Sequence, residues 1–327
     1  MFFFKIVLCL LAFAIAFYLF NQKYIHTQTE PFENKLIISK LNDNTGFYSQ
    51  LFFLINHYVY CKLNQQNFNI NSINWIYRTN QGWTDYFKPI ELNYHTSNEE
   101  KIYGHSEIIE NYSIESYKKA IPEIYMYNQY TINHISNVTQ QLNLINYDAI
   151  YIRRGDKLID EIKISNESTY IESLLKKNKN CRTIFLQTDD YTCFINLQKY
   201  IKDNQLNIRL VTMCDKNSFG AITNDHYKQN FNSSSLFEEN SEYINSIRDK
   251  LQKTKTIQDM NNHEKHEHAL ELLTGIDICM HSNMCVCDYG SNVSRFIKLA
   301  HDNPNNVYDI NDTIVDFSKK ICPAISF

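Results

Sequence analysis

The sequence predicts an α/β fold built on parallel sheets, and three observations carry that expectation. Short apolar runs alternate with helix-length segments through the carboxyl half, several of the runs end abruptly in polar or charged residues, and 327 residues are enough for about two domains. Near-continuous apolar strands alternating with helices imply a sheet covered on both faces. In such sheets ligands gather at the carboxyl ends of the strands.

The elements follow in order. Met1 to Phe20 holds one charge, Lys5, in an otherwise apolar run. At 1.5 Å per residue it spans about 30 Å of hydrocarbon, which predicts a membrane anchor with the amino end inside. Ala12-Phe13-Ala14 and Ala14-Ile15-Ala16 resemble small-residue cleavage sites, but they sit inside the apolar run, with Phe17 to Phe20 still to come. Residues 21–34 are polar and patternless and read as a stem. A first domain is expected over 35–146. It opens with a strand at Leu36–Ser39, a turn at Gly46 and a helix through Cys61, continues with an apolar segment from Phe68 to Trp75, and then runs as broken helical material to Asn146. A second domain is expected over 147–327. Its strands are Asp148–Ile152, Thr183–Gln187, Ile208–Met213, Met284–Cys287 and Val307–Ile310; its helices are Ser168–Lys177, Thr192–Ile201, Glu264–Met280 and Ser291–His301. An insertion-like stretch, 218–262, interrupts this series.

Composition narrows the function. With 32 basic against 36 acidic residues the net charge is −4, and no segment concentrates Lys and Arg as a phosphate-tracking surface would, which argues against nucleic acid as a partner. Hydrophobic content of 43% marks a globular chain. The 9 cysteines follow no zinc spacing. Asn-x-Ser/Thr sequons at Asn111, Asn137, Asn166, Asn232, Asn292 and Asn311 fit a secretory address, although an Asn-rich chain generates them by chance.

Three strand ends carry chemistry. The first, Tyr151-Ile152-Arg153-Arg154-Gly155-Asp156-Lys157, closes a buried strand with two guanidinium groups and an ammonium. Arg offers a planar fork to phosphate, Lys a mobile point charge, and Gly155 lets backbone approach closely. A phosphorylated ligand fits, and so does a set of salt bridges to Asp156 and its neighbours. The second, Gln187-Thr188-Asp189-Asp190, reads either as a divalent-metal pair or as organisation. In the organising role, which is favoured, Asp189 steadies an arginine and Thr188 or Asp190 caps the next helix. The third, Cys287-Asp288-Tyr289-Gly290-Ser291-Asn292, leads into a helix whose first N–H groups and positive dipole end suit an anion, or simply carry a serine cap. His263, His266 and His268 lie in a charged helix start and read as solvent-facing rather than as metal ligands.

These residues resemble the α1,6-fucosyltransferase family and its nodulation and protein O-fucosyltransferase relatives. Gly46-Phe47-Tyr48-Ser49-Gln50-Leu51 is similar to that family's Gly-Tyr-Gly-x-Gln-Leu turn, and Asn74-Trp75, Gly82-Trp83 and Phe87-Lys88-Pro89 to its next segment. Tyr151 to Lys157 resembles its His-x-Arg-Arg-x-Asp-Lys strand end, with Glu161 and Tyr170 at the family spacing. Thr188-Asp189-Asp190, Asp277-Ile278 and Gly290-Ser291-Asn292-Val293-Ser294-Arg295 are similar to its later motifs. Tyr151 stands where the family has His, and Asn292 where it has Gln.

The resemblance implies a GT-B-like fold of two Rossmann-like domains, with the acceptor side first and the GDP-sugar side second. It implies inverting transfer of fucose from GDP-fucose to a glycan acceptor, without metal or other cofactor. Arg153 would hold the β-phosphate with Arg154 in support, and Glu161 would be the general base, with Lys157 and Tyr170 beside it. Donor contacts would come from Gly46, Phe47, Tyr151, Asp156, Asp189, Asp190, Ser291 and Asn292, with Asp277 on guanine. Such an enzyme is expected as a single-pass type II membrane protein with its catalytic part in the Golgi or ER lumen. Other linkages, protein O-fucosylation and other GDP-sugars share the fold, and a glycan-binding protein that has lost turnover is the reading from a different class.

Overall fold

The protein is described by a computed structural model over residues 35–42, 45–94, 99–104, 107–155, 165–223 and 254–311. Met1–Phe20, the 21–34 stem, and Asp156, Lys157 and Glu161 lie outside these residues. Among the described residues no helix is long and apolar enough to cross a membrane.

The architecture is α/β with two parallel sheets. The first half carries β1 (Lys35–Lys40), α1 (Phe47–Leu63), β2 (Asn67–Asn71), β3 (Glu99–Tyr103), α2 (Ile114–Ile124) and α3 (Gln129–Leu142). Its three strands lie in the order β2-β1-β3. The strand β3 falls where the sequence predicts broken helix. Its Glu99-Glu100-Lys101-Ile102-Tyr103 has no apolar run, because it is an edge strand paired only with β1, and four of its five residues are exposed.

The second half carries β4 (Asp148–Ile152), α4 (Glu167–Lys177), β5 (Thr183–Thr188), α5 (Tyr191–Asp203), β6 (Arg209–Thr212), α6 (Asn262–Met280), β7 (Cys285–Cys287), α7 (Asn292–Ala300) and β8 (Val307–Asp309). These elements lie within a residue or two of the bounds that apolar periodicity predicts. The strands are parallel in the order β6-β5-β4-β7-β8. The chain walks outward from β4 to β6, then crosses back to β7 on the other side of β4. The β4/β7 junction is therefore the topological switch point, where a doubly wound sheet opens a crevice at its carboxyl edge.

One apolar cluster joins the halves. Phe296 of α7 packs on Tyr48 of α1 and Tyr125, with ring centroids 5.0 and 4.7 Å away. The hydroxyls of Tyr48 and Tyr125 share a 2.6 Å hydrogen bond, and Tyr127 donates to Tyr125 at 3.1 Å. Burying these hydroxyls without a partner would cost stability, so the tyrosine chain satisfies them, and Tyr127 also donates across to the Leu273 carbonyl of α6 at 3.4 Å. The seven described cysteines, Cys61, Cys181, Cys193, Cys214, Cys279, Cys285 and Cys287, are free and buried.

Candidate active site

At the switch point a cavity of about 510 Å³ opens between the halves, within the range of small-molecule sites. Arg153 from the β4 end and Ser291, Asn292 and Val293 from the start of α7 wall one side; Thr45, Gly46, Phe47 and Tyr48 from the start of α1 wall another. Three of the sequence-derived groups thus meet in one space. Tyr151 ties two of them together. Burial raises its hydroxyl's pKa, while the Arg153 charge and interactions with Ser291 and Arg153 pull it down.

Ser291 is both a helix cap and a cavity-wall residue. Its Oγ caps α7 by accepting from Val293 N–H at 3.3 Å, and the residue lines the cavity. Arg295 braces the loop from inside, its Nε donating to the Tyr289 carbonyl at 2.9 Å. On the facing wall, Gln50 holds the loop before α1. Its Oε1 accepts from Asn42 N–H at 2.7 Å and its Nε2 donates to the Thr45 carbonyl at 2.7 Å. Gln50 is 1% exposed, so its amide is one of the buried polar groups of α1, with Asn56 and His57, and its bonds to the loop satisfy it.

Arg154 stands apart from Arg153. Residues two apart on a strand share a face, so Tyr151 and Arg153 reach the cavity while Arg154 points the other way with Ile152. Arg154 is 3% exposed, donates to Glu167 Oε1 and to the Ser165 carbonyl, both at 2.9 Å, and is a buried ion pair rather than a phosphate ligand. Tyr170, expected beside the base, lies on that same inner side. It is 2% exposed, and burial raises its pKa, with the Arg154 charge acting against the rise.

Asp189 steadies the β4 end through backbone, not guanidinium. Its Oδ1 accepts from Arg154 N–H at 2.7 Å and its Oδ2 from Ala221 N–H at 3.1 Å. Asp190 is fully buried and caps α5 by accepting from Thr192 N–H at 2.8 Å. Both carboxylates are thus engaged in organising the fold, and only Asp189 reaches the cavity wall. Gly155 has φ +61°, and a Cβ there would come within 2.2 Å of the Ala221 carbonyl oxygen. The close approach that Gly155 permits is therefore made by the chain's own 219–221 segment.

Asp277 is not at the cavity. Helix α6 runs antiparallel to the strands, so its first turns stand at the carboxyl edge and its last at the far edge. Asp277 is bound there to His281, Nδ1 to Oδ2 3.4 Å, and by hydrogen bonding raises the imidazole pKa to about 9. His268, which the sequence reading placed on a solvent-facing helix start, and Glu271, which it passed over, take the cavity wall instead. Burial pushes the Glu271 carboxyl up to about 7, with the Asp215 and Asp189 charges adding to it. Burial and the Arg153 charge push His268 down to about 4, so its ring is neutral. An acid inside the apolar run Ala269-Leu270-Glu271-Leu272-Leu273 was the available signal. Among the described residues no group of three or more His, Cys, Asp or Glu is arranged to hold a metal ion.

No protein-family profile and no curated protein matches the sequence. Solved structures do match. A crystal structure of NodZ α-1,6-fucosyltransferase soaked with GDP-fucose aligns at a TM-score of 0.52 and 10% identity, covering 85% of this chain and 96% of that one. The chain shares its fold with this fucosyltransferase. NodZ co-crystallised with GDP aligns at 0.50 and 10% identity, over 81% of this chain and 92% of that one. Selenomethionine NodZ from Bradyrhizobium gives the same values. The shared architecture is the GT-B-like arrangement of two parallel-sheet halves, found here with no more identity than unrelated sequences show.

Proposed function

We propose that this chain is an inverting glycosyltransferase that binds a GDP-sugar at the β4/β7 switch point and transfers fucose to a glycan acceptor, in an α1,6-type linkage. The observation that carries the reading is the juxtaposition of the Arg153 side chain and the Ser291-led start of α7 on one cavity at the sheet's carboxyl edge.

In the proposed reaction the acceptor hydroxyl attacks C1 of the sugar as the C1–O bond to the diphosphate breaks, and the bonding pair leaves with GDP. Negative charge grows on the diphosphate, and the Arg153 guanidinium with the first-turn N–H groups of α7 stabilise it where it develops. Glu161 is the proposed general base for the acceptor proton, with Lys157 as its proposed helper and Asp156 as a proposed donor contact; all three lie outside the described residues. Tyr170 and Arg154 have no part, since both are buried behind β4. The base is held by Glu271 rather than Asp277, because a carboxylate at the cavity wall can accept from the guanine N1–H and N2–H groups together. Met1–Phe20 belongs to the same proposal as a type II anchor that leaves the remainder in the Golgi or ER lumen.

The test is titration of the protein with GDP, followed by transfer assays with GDP-fucose and other GDP-sugars on glycan acceptors. Binding with turnover supports the reading. Binding of GDP with no transfer or hydrolysis of any GDP-sugar favours a glycan-binding protein that keeps the fold, and indifference to GDP overturns both.

A further inference from the structure

Beside the donor cavity lies a second one, of about 580 Å³, at the carboxyl end of β1, with Lys40, Arg78 and Lys265 on its wall. Apart from Gly104 after β3, the chain segments around it also line the donor cavity. Asn42 and Thr45 are on one loop, Arg78 follows Tyr77, Gln258 lies between Ile257 and Met260, and Lys265 stands one helical turn before His268. A ligand filling the second cavity therefore extends toward the sugar-transfer position.

Its charge is one-sided. Three cations line it and, among the described residues, no carboxylate does. Lys255, which lines the donor cavity, is by contrast paired with Glu264 at 2.6 Å. Lys40 and Lys265 make no such pair among the described residues. Arg78 is held in place, its Nε donating to the Asn80 carbonyl at 3.0 Å and one terminal nitrogen to the Ile73 carbonyl at 2.9 Å. The loop it belongs to is pinned by Asp85, which accepts from the N–H groups of Thr79, Asn80, Gln81 and Gly82. Asn42, Asn74 and Gln258 add amides suited to sugar hydroxyls.

We propose that this groove is the acceptor subsite and that the acceptor is an anionic oligosaccharide, carrying a sulfate, carboxylate or phosphate group that Lys40, Arg78 and Lys265 receive. The inference rests on the transferase reading for calling the ligand an acceptor. Three cations on one wall, with Arg78 held in place by its backbone contacts, suit such an oxyanion, which gains charge-assisted contacts that a neutral glycan cannot make.

The experiment is calorimetric titration of the GDP-saturated protein, at about 50 mM salt, with one N-acetyllactosamine oligosaccharide in neutral, sulfated and sialylated forms. At least one charged form is expected to bind about tenfold or more tightly than the neutral form, and the preference is expected to fade at about 0.5 M salt as screening shortens the reach of the cations. Lys40→Gln combined with Lys265→Gln should abolish the preference while leaving GDP affinity unchanged, and Arg78→Gln alone should reduce it. Comparison of the sulfated and sialylated forms tells which oxyanion is taken. Equal binding of all three, no binding of any, or a preference that survives both the double variant and high salt overturns the inference. If GDP fails to bind but the lysine-dependent preference remains, the groove assignment stands and the transferase reading falls.

Discussion

Adjacent arginines at the end of β4 are expected to fail in opposite ways when removed. Arg154 and Glu167 form an ion pair whose side chains are 3% and 9% exposed, with N–O 2.9 Å. Arg154→Ala leaves the Glu167 carboxylate buried beside Cys193 and Asn196, which donate weakly to it at 3.5 and 3.3 Å. Breaking one partner of such a pair costs about 3–5 kcal/mol. For a chain of this size that is a fall in Tm on the order of 10 °C. Arg154→Met with Glu167→Leu replaces the pair by apolar volume and should recover most of the loss. Arg153→Ala should cost less than about 1 kcal/mol in stability, since the side chain lies at the cavity. It removes a charge-assisted contact to the diphosphate of about 1.5–3 kcal/mol, which weakens GDP roughly 10- to 150-fold. Thermal melts and GDP titrations on the same samples separate the two. Equal stability loss in both single variants, or a larger loss of GDP affinity for Arg154→Ala than for Arg153→Ala, would refute the division of labour.

Glu271 should couple pH to both binding and stability. GDP affinity should rise with pH up to about 7, where the carboxyl ionises, and level off above. Stability runs the other way. Between the unfolded value near 4.5 and about 7 the folded state holds a proton that the unfolded chain has released, so stability falls as pH rises through that window. Glu271→Gln should therefore be the more stable protein at pH 8 and the weaker GDP binder, and a variant binding GDP as well as the parent would remove Glu271 from the site. His281, raised to about 9 by Asp277, contributes stability that is present below about pH 6.5 and lost as pH rises through 9. Asp277→Asn should abolish that dependence and leave GDP affinity unchanged; weakened GDP binding would restore Asp277 to the guanine role. At Gly46 an added Cβ meets nothing within 4 Å, so Gly46→Val should cost only the loss of a favourable helix start, about 1 kcal/mol, a Tm fall of about 2–4 °C. It should nevertheless obstruct the donor, with GDP-fucose binding at least tenfold weaker; unchanged binding would show that the donor does not approach that turn.

Much of the second half was legible because parallel strands buried on both faces carry long apolar signals, and their helices start on ordinary caps: Asn166, Asp190, Asn261 and Ser291. The edge strand β3 was not, since pairing on one side leaves it charged and exposed. At the site, the meeting of Arg153 and Ser291 followed from strand ends, while Gly46 came with the family resemblance. Arg154 and Asp277 lie away from the cavity for geometric reasons already present in the sequence. The pleat sends adjacent residues to opposite faces, which splits the arginine pair. Six residues along α6 carry Asp277 about 9 Å from Glu271 toward the far edge of the sheet. Tertiary burial decided the rest, for nothing local told that the His268 side of a charged helix start would face the cavity.

Isothermal titration of the protein with GDP, ADP and UDP tests the central assignment most directly. GDP should bind at micromolar concentration and the other two at least tenfold more weakly, with the GDP heat lost in Arg153→Ala at unchanged Tm. No GDP binding at millimolar concentration, or equal affinity for all three nucleotides, would contradict a guanosine-sugar site at the β4/β7 switch point.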